Sequence, residues 1–239
     1  MAAASGYRNA RMAFEGAILW DIDGTLLTTA KAGRIALREA VLELCGVEVD
    51  YGDLLTSGLT DTTVHAAALE SVGIHPDPEL VARISAEYVR RLPETLPLRD
   101  GAVLPGVREA LEQLDEAGRI ANLLLTGNTP GGAQAKLERY GLQEFFPHGG
   151  GFCEGDTERI TIARRALDLA MALTSGSAES VVVLGDTPHD IGCASALELR
   201  TIAISTGTHS LEELHDAGAW AAFERVPSAD ELERLVLRA

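Results

Sequence analysis

Residues 17–26 read AILWDIDGTL, a short apolar run that changes abruptly into a loop containing two aspartates. The apolar part, residues 17–20, is too short for a helix and is typical of a strand buried on both faces of a parallel sheet. Asp21 and Asp23 follow the carboxyl end of that strand. This stretch therefore predicts a parallel sheet with carboxylates at one edge.

Three further segments repeat the pattern of a short apolar strand followed by a polar loop. They are residues 120–125 before Thr126-Gly127-Asn128, residues 181–184 before Gly185-Asp186, and residues 201–204 before Ser205-Thr206-Gly207. Helical patterns at residues 106–117, 130–140 and 157–173 alternate with them, and the glycines at 149–151 are interpreted as a turn. The alternation predicts an α/β fold with a Rossmann-like open parallel sheet, in which ligands bind beyond the carboxyl ends of the strands.

The region from residue 31 to residue 98 has a different pattern, with no convincing strand and with amphipathic helical segments at residues 31–45, 61–72 and 78–92. A helical block inserted directly after the first strand is expected to cover the ligand-binding edge of the sheet. Its hinges would lie near residues 28–33 and 97–105. We expect a core domain of residues 1–28 and 99–239 and an all-helical cap domain of residues 29–98.

The length and charge of the chain limit its class. A chain of 239 residues can form one core plus an insert. Its 20 basic and 36 acidic residues give a net charge of −16, which argues against nucleic acid or an anionic membrane surface as a partner. No apolar run approaches the roughly 20 residues of a membrane helix, and residues 1–11 lack the apolar stretch of a signal peptide. The three cysteines form no Cys-x-x-Cys pair, so we expect reduced thiols in a soluble, cytoplasmic protein.

The aspartates at the ends of the strands favour a metal site. Asp21 and Asp23 are costly neighbours, because carboxylates repel each other and burial disfavours both charges. Asp186 follows another strand, and Asp190 lies one helical turn later on the same side. A divalent cation compensates such a cluster, and hard oxygen ligands favour Mg²⁺. Each aspartate taken alone also fits a helix cap or a loop, but all four together favour the metal.

Three motifs resemble those of the haloacid dehalogenase superfamily of phosphatases, and the resemblance extends from about residue 17 to residue 206. DIDGTL at residues 21–26 resembles motif one, LLTGN at residues 124–128 resembles motif two, and LGDTPHD at residues 184–190 resembles motif four. The helical insert stands where that superfamily carries its type one cap. The order and spacing of the motifs argue against chance agreement.

The resemblance implies a role for each matching aspartate. Asp21 would be the nucleophile that forms an aspartyl-phosphate, and Asp23 would act first as general acid and then as general base. Mg²⁺ would be held by the Asp21 carboxylate, the main-chain carbonyl of Asp23 and Asp186. Asp190 would bind the cation through water or support its ligands.

The resemblance also implies that the loops of motifs one and two bind the phosphoryl group. Thr126 would donate hydrogen bonds to the phosphoryl oxygens. Main-chain amides of the loop after the nucleophile, including Gly24 and Thr25, would assist it. Gly127 and Asn128 complete the expected phosphate-binding set.

The third motif of the superfamily is usually a lysine, expected here between Phe152 and the helix that begins near Thr157. Neither lysine of the chain, Lys31 or Lys136, occupies that place. Arg159 is the candidate, since arginine keeps the positive charge and adds a planar fork suited to phosphate and carboxylate. The alternative is a solvated arginine in the first turn of a helix.

The cap contains SGLTDTT at residues 57–63, which is similar to segments that select the substrate in phosphoglycolate-phosphatase-like members. The resemblance implies that Thr60 and Asp61 face the substrate. As local structure, the same segment is the start of a helix with Thr60 as its N-cap.

The acidic cluster together with the resemblance predicts an Mg²⁺-dependent phosphatase, as a monomer or homodimer, and the resemblance implies a small phosphorylated metabolite as substrate, such as phosphoglycolate or a sugar phosphate. A phosphomutase of the β-phosphoglucomutase type is the main alternative, but such mutases carry a lysine or arginine in the cap loop, which residues 57–63 lack. A haloacid dehalogenase usually lacks the second aspartate of motif one, which is present here as Asp23. A non-catalytic binding protein would not need the complete set of candidate residues.

Overall fold

The structure, a computed structural model, describes residues 13–50, 58–174 and 178–237. Its strands are β1 (Gly16–Trp20), β2 (Leu27–Thr28), β3 (Ala102–Val103), β4 (Ile120–Leu125), β5 (Gly150–Gly151), β6 (Val181–Gly185), β7 (Arg200–Ile204) and β8 (Ala221–Phe223). Its helices are α1 (Ala32–Cys45), α2 (Asp61–Ser71), α3 (Pro78–Thr95), α4 (Val107–Ala117), α5 (Pro130–Tyr140), α6 (Arg159–Leu173), α7 (Pro188–Ser195), α8 (Leu211–Asp216) and α9 (Ala229–Leu237). Short 3₁₀ turns cover Leu96–Leu98, Gln143–Phe145 and Ala178–Ser180.

Six of the strands form one sheet in the order β5-β4-β1-β6-β7-β8, and every neighbouring pair in it is parallel. β1 is central and buried along its whole length, and its side chains alternate between the two faces. Ile18 and Trp20 pack into the apolar cluster that includes residues of α4, α5 and α9. Ala17 and Leu19 pack into the cluster on the other face, with α6 and α7. The α/β fold with an open, Rossmann-like parallel sheet is therefore confirmed.

The sheet is wider than the sequence patterns indicated. The interpretation of residues 149–151 as only a turn was wrong, because Gly150–Gly151 pairs with Leu124 and Leu125 as an edge strand. The opposite edge is Ala221–Phe223, which the sequence patterns did not identify as a strand and which pairs with β7. Both edge strands are two or three residues long, so pairing with the sheet rather than their own composition makes them strands.

A block of three helices lies between β2 and β3 along the chain. Helices α1, α2 and α3 share their own apolar cluster, which includes Leu37, Leu69, Ile84 and Leu92. Helix α3 continues to Thr95, beyond the predicted end at residue 92.

The two connections between the helical block and the sheet run side by side. β2 and β3 pair antiparallel, with Leu27 opposite Val103 and Thr28 opposite Ala102. Lys31, in the first connection, has a left-handed backbone with φ of +67°, which is unusual for a residue other than glycine. Because β2 and β3 pair with each other, both connections meet the core at the edge of the sheet where β1 ends.

Candidate active site

The carboxyl ends of three neighbouring strands bring the residues of motifs one, two and four together. Asp21 follows β1, Thr126 follows β4, and Asp186 follows β6. β1 lies between β4 and β6, at the point where the strand order changes direction. Open α/β sheets bind their ligands at such a point.

Three buried carboxylates form the centre of this site. Asp21, Asp186 and Asp190 each offer an oxygen atom within 4.8 Å of the others, and all three residues are buried. Asp190 lies in the first turn of α7, where its Oδ2 accepts hydrogen bonds from the main-chain nitrogen of Thr187 at 3.1 Å and its hydroxyl at 2.7 Å. The capping geometry of this helix therefore fixes Asp190, and its contacts suit a residue that supports metal ligands.

Arg159, the first residue of α6, places a guanidinium among these carboxylates. Its Nη2 donates to Asp21 Oδ1 at 2.8 Å and to Asp190 Oδ1 at 2.5 Å, and the arginine is itself 8% exposed. Its Nη1 donates to the carbonyl of Gly58 in the helical block at 3.3 Å. The alternative of a solvated arginine is wrong, because this side chain is a buried partner of Asp21.

One guanidinium cannot neutralise the charge of three carboxylates, and the pKa values of Asp21 and Asp186 reflect this excess of negative charge. Burial raises the pKa of Asp21 to about 7; Arg159 opposes this shift, and the charges of Asp190 and Asp23 add to it. Burial likewise raises the pKa of Asp186 to about 8, and the charges of Asp21 and Asp190 reinforce the shift. The centre of the site therefore carries excess negative charge whenever all three groups ionise.

Gly24 and Thr25 hold Asp186 in place. Their main-chain nitrogens donate to the carbonyls of Leu27 at 2.9 Å and Ile22 at 3.3 Å. Thr25 Oγ1 donates to Asp186 Oδ1 at 3.2 Å, and a Cβ at Gly24, whose φ is +86°, would overlap the same carboxylate. These donors close the turn and Thr25 holds Asp186, and the expectation that Gly24 and Thr25 bind the phosphoryl group stays a prediction.

Asp23 has different partners. Asn128 Nδ2 donates to Asp23 Oδ2 at 2.8 Å, and Lys136 Nζ lies 2.5 Å from the same oxygen. Lys136 is not at the position of motif three, and no sequence motif assigns it a role. Its position beside Ala133 and Leu137 on the buried face of α5 was the available signal, because lysine is rarely fully buried without a partner.

The motif-two loop supplies one hydroxyl group whose hydrogen is available to donate to a ligand. Thr126 Oγ1 accepts hydrogen bonds from Asn128 Nδ2 at 2.7 Å and from Asn128 N at 3.3 Å, so its own proton is left to donate to a ligand. Asn128 uses its amide group on Asp23, Thr126 and Lys136, and it therefore organises the loop. The carbonyl of Gly127 accepts from the main-chain nitrogen of Asp61 at 2.7 Å.

The segment that begins α2 lies directly against the core. Thr60 Oγ1 donates to the carbonyl of Asp156 at 2.9 Å, and Asp61 Oδ2 accepts from Thr129 N at 2.7 Å. Thr60 also caps α2, because its hydroxyl accepts from Thr63 N. Ser57, the first residue of the cap motif, lies outside the described residues. The helical block therefore touches the loops of the site through Thr60 and Asp61, whose side chains hold the contact.

In the part of the chain that the structure describes, no helix has both the length and the apolar character needed to cross a membrane.

The model of the haloacid dehalogenase-like hydrolase family matches residues 16–197, a span that includes all three strand ends and Arg159.

Curated proteins and solved structures agree with this match. The chain is 27% identical over 202 residues to a phosphoglycolate phosphatase of Synechococcus elongatus, covering 83% of this chain and 87% of that protein. It is 24% identical over 218 residues to the probable phosphatase IndB of Dickeya dadantii, covering 84% and 85% of the two chains. A crystal structure of a CbbY mutant from Rhodobacter sphaeroides, in complex with xylulose-(1,5)bisphosphate, has the same fold. Its TM-score is 0.70 at 23% identity, and the match covers 89% of this chain and 95% of that one.

Proposed function

The chain belongs to the haloacid dehalogenase-like hydrolase family and is a phosphatase of that family, and we propose that it hydrolyses a small phosphomonoester with Mg²⁺ through a phosphorylated Asp21. The observation that carries this proposal is the position of the Asp21 carboxylate. It lies within 4.8 Å of Asp186 and Asp190 and is bonded to the guanidinium of Arg159.

In the first step, an Asp21 oxygen attacks phosphorus and the bond from phosphorus to the ester oxygen breaks. The protonated carboxyl of Asp23 gives its proton to the departing oxygen, so the alcohol leaves neutral. In the second step, a water oxygen attacks phosphorus and transfers a proton to the Asp23 carboxylate. The bond from phosphorus to Asp21 then breaks, which releases phosphate and regenerates both aspartates.

The residues present fit Mg²⁺. Of the three buried carboxylates, Asp21 and Asp190 share one guanidinium, and the two negative charges in excess match a divalent cation with oxygen ligands. Asp21, Asp186 and the main-chain carbonyl of Asp23 would hold it, with Asp190 behind them. When bound, the cation supplies positive charge that stabilises the transferring phosphoryl group.

Thr126 and Arg159 bind the phosphoryl oxygens in this proposal. The Thr126 hydroxyl has a proton left to donate, as described above. Arg159 Nε is buried and has no hydrogen-bond acceptor among the described residues. An unpaired buried donor costs about 1–3 kcal/mol, and a phosphoryl oxygen would satisfy it.

The substrate we propose is a small metabolite such as phosphoglycolate or a sugar monophosphate. One relative is named a phosphoglycolate phosphatase, and a protein of the same fold was crystallised with a sugar bisphosphate. Residues 29–98 act as the cap in this proposal, and the segment with Thr60 and Asp61 selects the substrate, because it contacts the motif-two loop.

The test is release of inorganic phosphate from p-nitrophenyl phosphate with Mg²⁺ and with EDTA. We expect Mg²⁺-dependent turnover by the wild type and by Asp115→Asn, a control at an exposed position of α4. Asp21→Asn should lose at least about 10⁴-fold, because an amide cannot replace the attacking carboxylate. Retained turnover by Asp21→Asn would refute the covalent step.

A panel of phosphoglycolate and sugar monophosphates then identifies the substrate. Phosphate release distinguishes a phosphatase from a mutase, which would return the phosphoryl group to a sugar hydroxyl. A wild type that releases phosphate from no panel member and no aryl ester would refute the proposed function.

A further inference from the structure

Lys136 is a buried cation that the mechanism above does not use. Only 6% of its side chain is exposed, and burying an ammonium group is costly unless it has close partners. Its Nζ lies 2.5 Å from Asp23 Oδ2 and 2.5 Å from Asn128 Oδ1. Both partners belong to the loops of the site, so the charge buried in α5 acts on those loops.

The contacts to Asp23 are asymmetric. Lys136 and Asn128 both donate to Oδ2, and within the described residues no hydrogen bond ends on Oδ1. The Asp23 side chain is itself 43% exposed. The carboxyl group is therefore held by one oxygen from the buried side, while its other oxygen remains available to a reactant.

Lys136 also fixes the orientation of the Asn128 side chain, which donates to the same oxygen of Asp23. By donating to Asn128 Oδ1, it sets which end of the amide faces Asp23 and Thr126. Asn128 Nδ2 is then the atom that donates to Asp23 Oδ2 and to Thr126 Oγ1. One ammonium group thus orients both the carboxyl group of motif one and the hydroxyl group of motif two.

We infer that Lys136 is a positioning residue that holds Oδ2 of Asp23 and thereby directs proton transfer to Oδ1, an inference that rests on the proposed function. In the first step the proton moves from Oδ1 to the departing ester oxygen as its bond to phosphorus breaks. In the second step Oδ1 takes a proton from the attacking water. Without the clamp, the carboxyl group rotates about its Cβ–Cγ bond and is aligned for only part of the time.

The experiment compares Lys136→Met with Lys31→Met, the same replacement at the other lysine, which is exposed. An aryl ester leaves without a proton donor, whereas an alkyl ester needs one. For Lys136→Met we expect a p-nitrophenolate burst of nearly one per chain, accumulation of acid-stable phosphoenzyme, and then slow turnover. With the most rapidly hydrolysed alkyl ester of the panel, the single-turnover rate should fall about 100-fold while KM stays within about threefold. Lys136→Arg should recover part of the loss.

A double-mutant cycle keeps the inference testable if Lys136→Met does not fold. Asp23→Asn with Lys136→Met removes both charges together, and the second change should cost less than about threefold in the Asp23→Asn background. Multiplicative losses would overturn the inference, as would equal losses on aryl and alkyl esters together with a raised KM. A wild type that turns over while Lys136→Met matches it would overturn the inference alone. A wild type that neither releases phosphate nor forms phosphoenzyme would overturn the proposed function as well.

Discussion

Asp21 and Asp23 are separated by one residue, yet their surroundings differ. The Asp21 side, defined as Asp21, Arg159, Asp186 and Asp190, is buried throughout. On the Asp23 side, defined as Asp23, Asn128 and Lys136, the carboxylate is 43% exposed above a buried lysine.

The difference arises because the chain leaves the sheet after Trp20, so only the first aspartate still lies between neighbouring strands. Asp21 keeps a hydrogen bond from its main-chain nitrogen to the carbonyl of Leu184 in β6. One motif therefore supplies two kinds of carboxylate. A buried one beside a guanidinium suits attack within a field of fixed charges, and a half-exposed one suits proton exchange with substrate and water.

Arg159→Ala should have the largest effect among the changes that separate the two sides. Removing the guanidinium leaves the buried carboxylates of Asp21 and Asp190 without their shared partner and removes a donor to the phosphoryl group. We expect a loss of about 100-fold in kcat/KM on aryl and alkyl esters alike, since the Asp23 side is untouched. Arg159→Lys should fall between, because a single ammonium cannot reproduce the planar fork.

Steady-state rates on both esters, with melting temperatures as a control for folding, check this expectation. A loss below about threefold would show that another group stabilises the phosphoryl charge. A change in the ratio of aryl to alkyl rates would show that the two sides are not separate.

The residues of the Asp21 side were all candidates from the sequence, whereas on the Asp23 side the sequence pointed to Asp23 and Asn128 but not to Lys136. Asp21, Thr126 and Asp186 each follow an apolar strand, so their meeting follows from the rule that parallel strands end at one edge. Arg159 was a candidate because the third motif of the superfamily is usually a cation, expected near the start of α6. Lys136 was missed because it has no place in the pattern.

What a single sequence lacks is the contact between separate elements. Lys136 stands ten residues after Thr126, and only the packing of α5 under the loops reveals what it touches. The same reason explains why Gly150–Gly151 was interpreted as a turn: its pairing partner, β4, decides its structure. Gly24 and Gly207 lie so close to Asp186 that a Cβ at either position would overlap its carboxylate, and the sequence alone does not show this contact either.

The excess charge on the Asp21 side predicts how stability depends on pH. The pKa values of about 7 for Asp21 and about 8 for Asp186 lie above those of the unfolded chain, near 4. Between these limits the folded, metal-free protein binds more protons than the unfolded chain. The free energy of unfolding therefore falls as the pH rises from about 4, and it stops falling once the pH has passed the folded pKa values of about 7 and about 8.

Asp186→Asn should remove part of this dependence. In EDTA, the melting temperature of the variant minus that of wild type should therefore increase from pH 5 to pH 9. Wild type at pH 8 should gain about 5–10 °C from Mg²⁺ at 100 times its dissociation constant, and Asp186→Asn much less. Calorimetry at several pH values, with Asp115→Asn as the exposed control, measures both effects. A difference between the variants that does not change with pH would contradict the burial of this charge.

Gly127→Ala should have the smallest effect, and it tests whether the helical block acts on both sides equally. A Cβ at Gly127 would overlap the carbonyl of Leu59, so alanine should hold α2 slightly away from the motif-two loop. Because Thr126 and Asp23 keep their partners, we expect KM to rise about three- to tenfold, kcat to change less, and the ratio of aryl to alkyl rates to stay constant. Gly192→Ala in α7, where a Cβ meets nothing within 4 Å, is the matched control. A changed ratio in Gly127→Ala would mean that the contact at Leu59 also aligns Asp23, and the separation between the two sides would then depend on a closed cap.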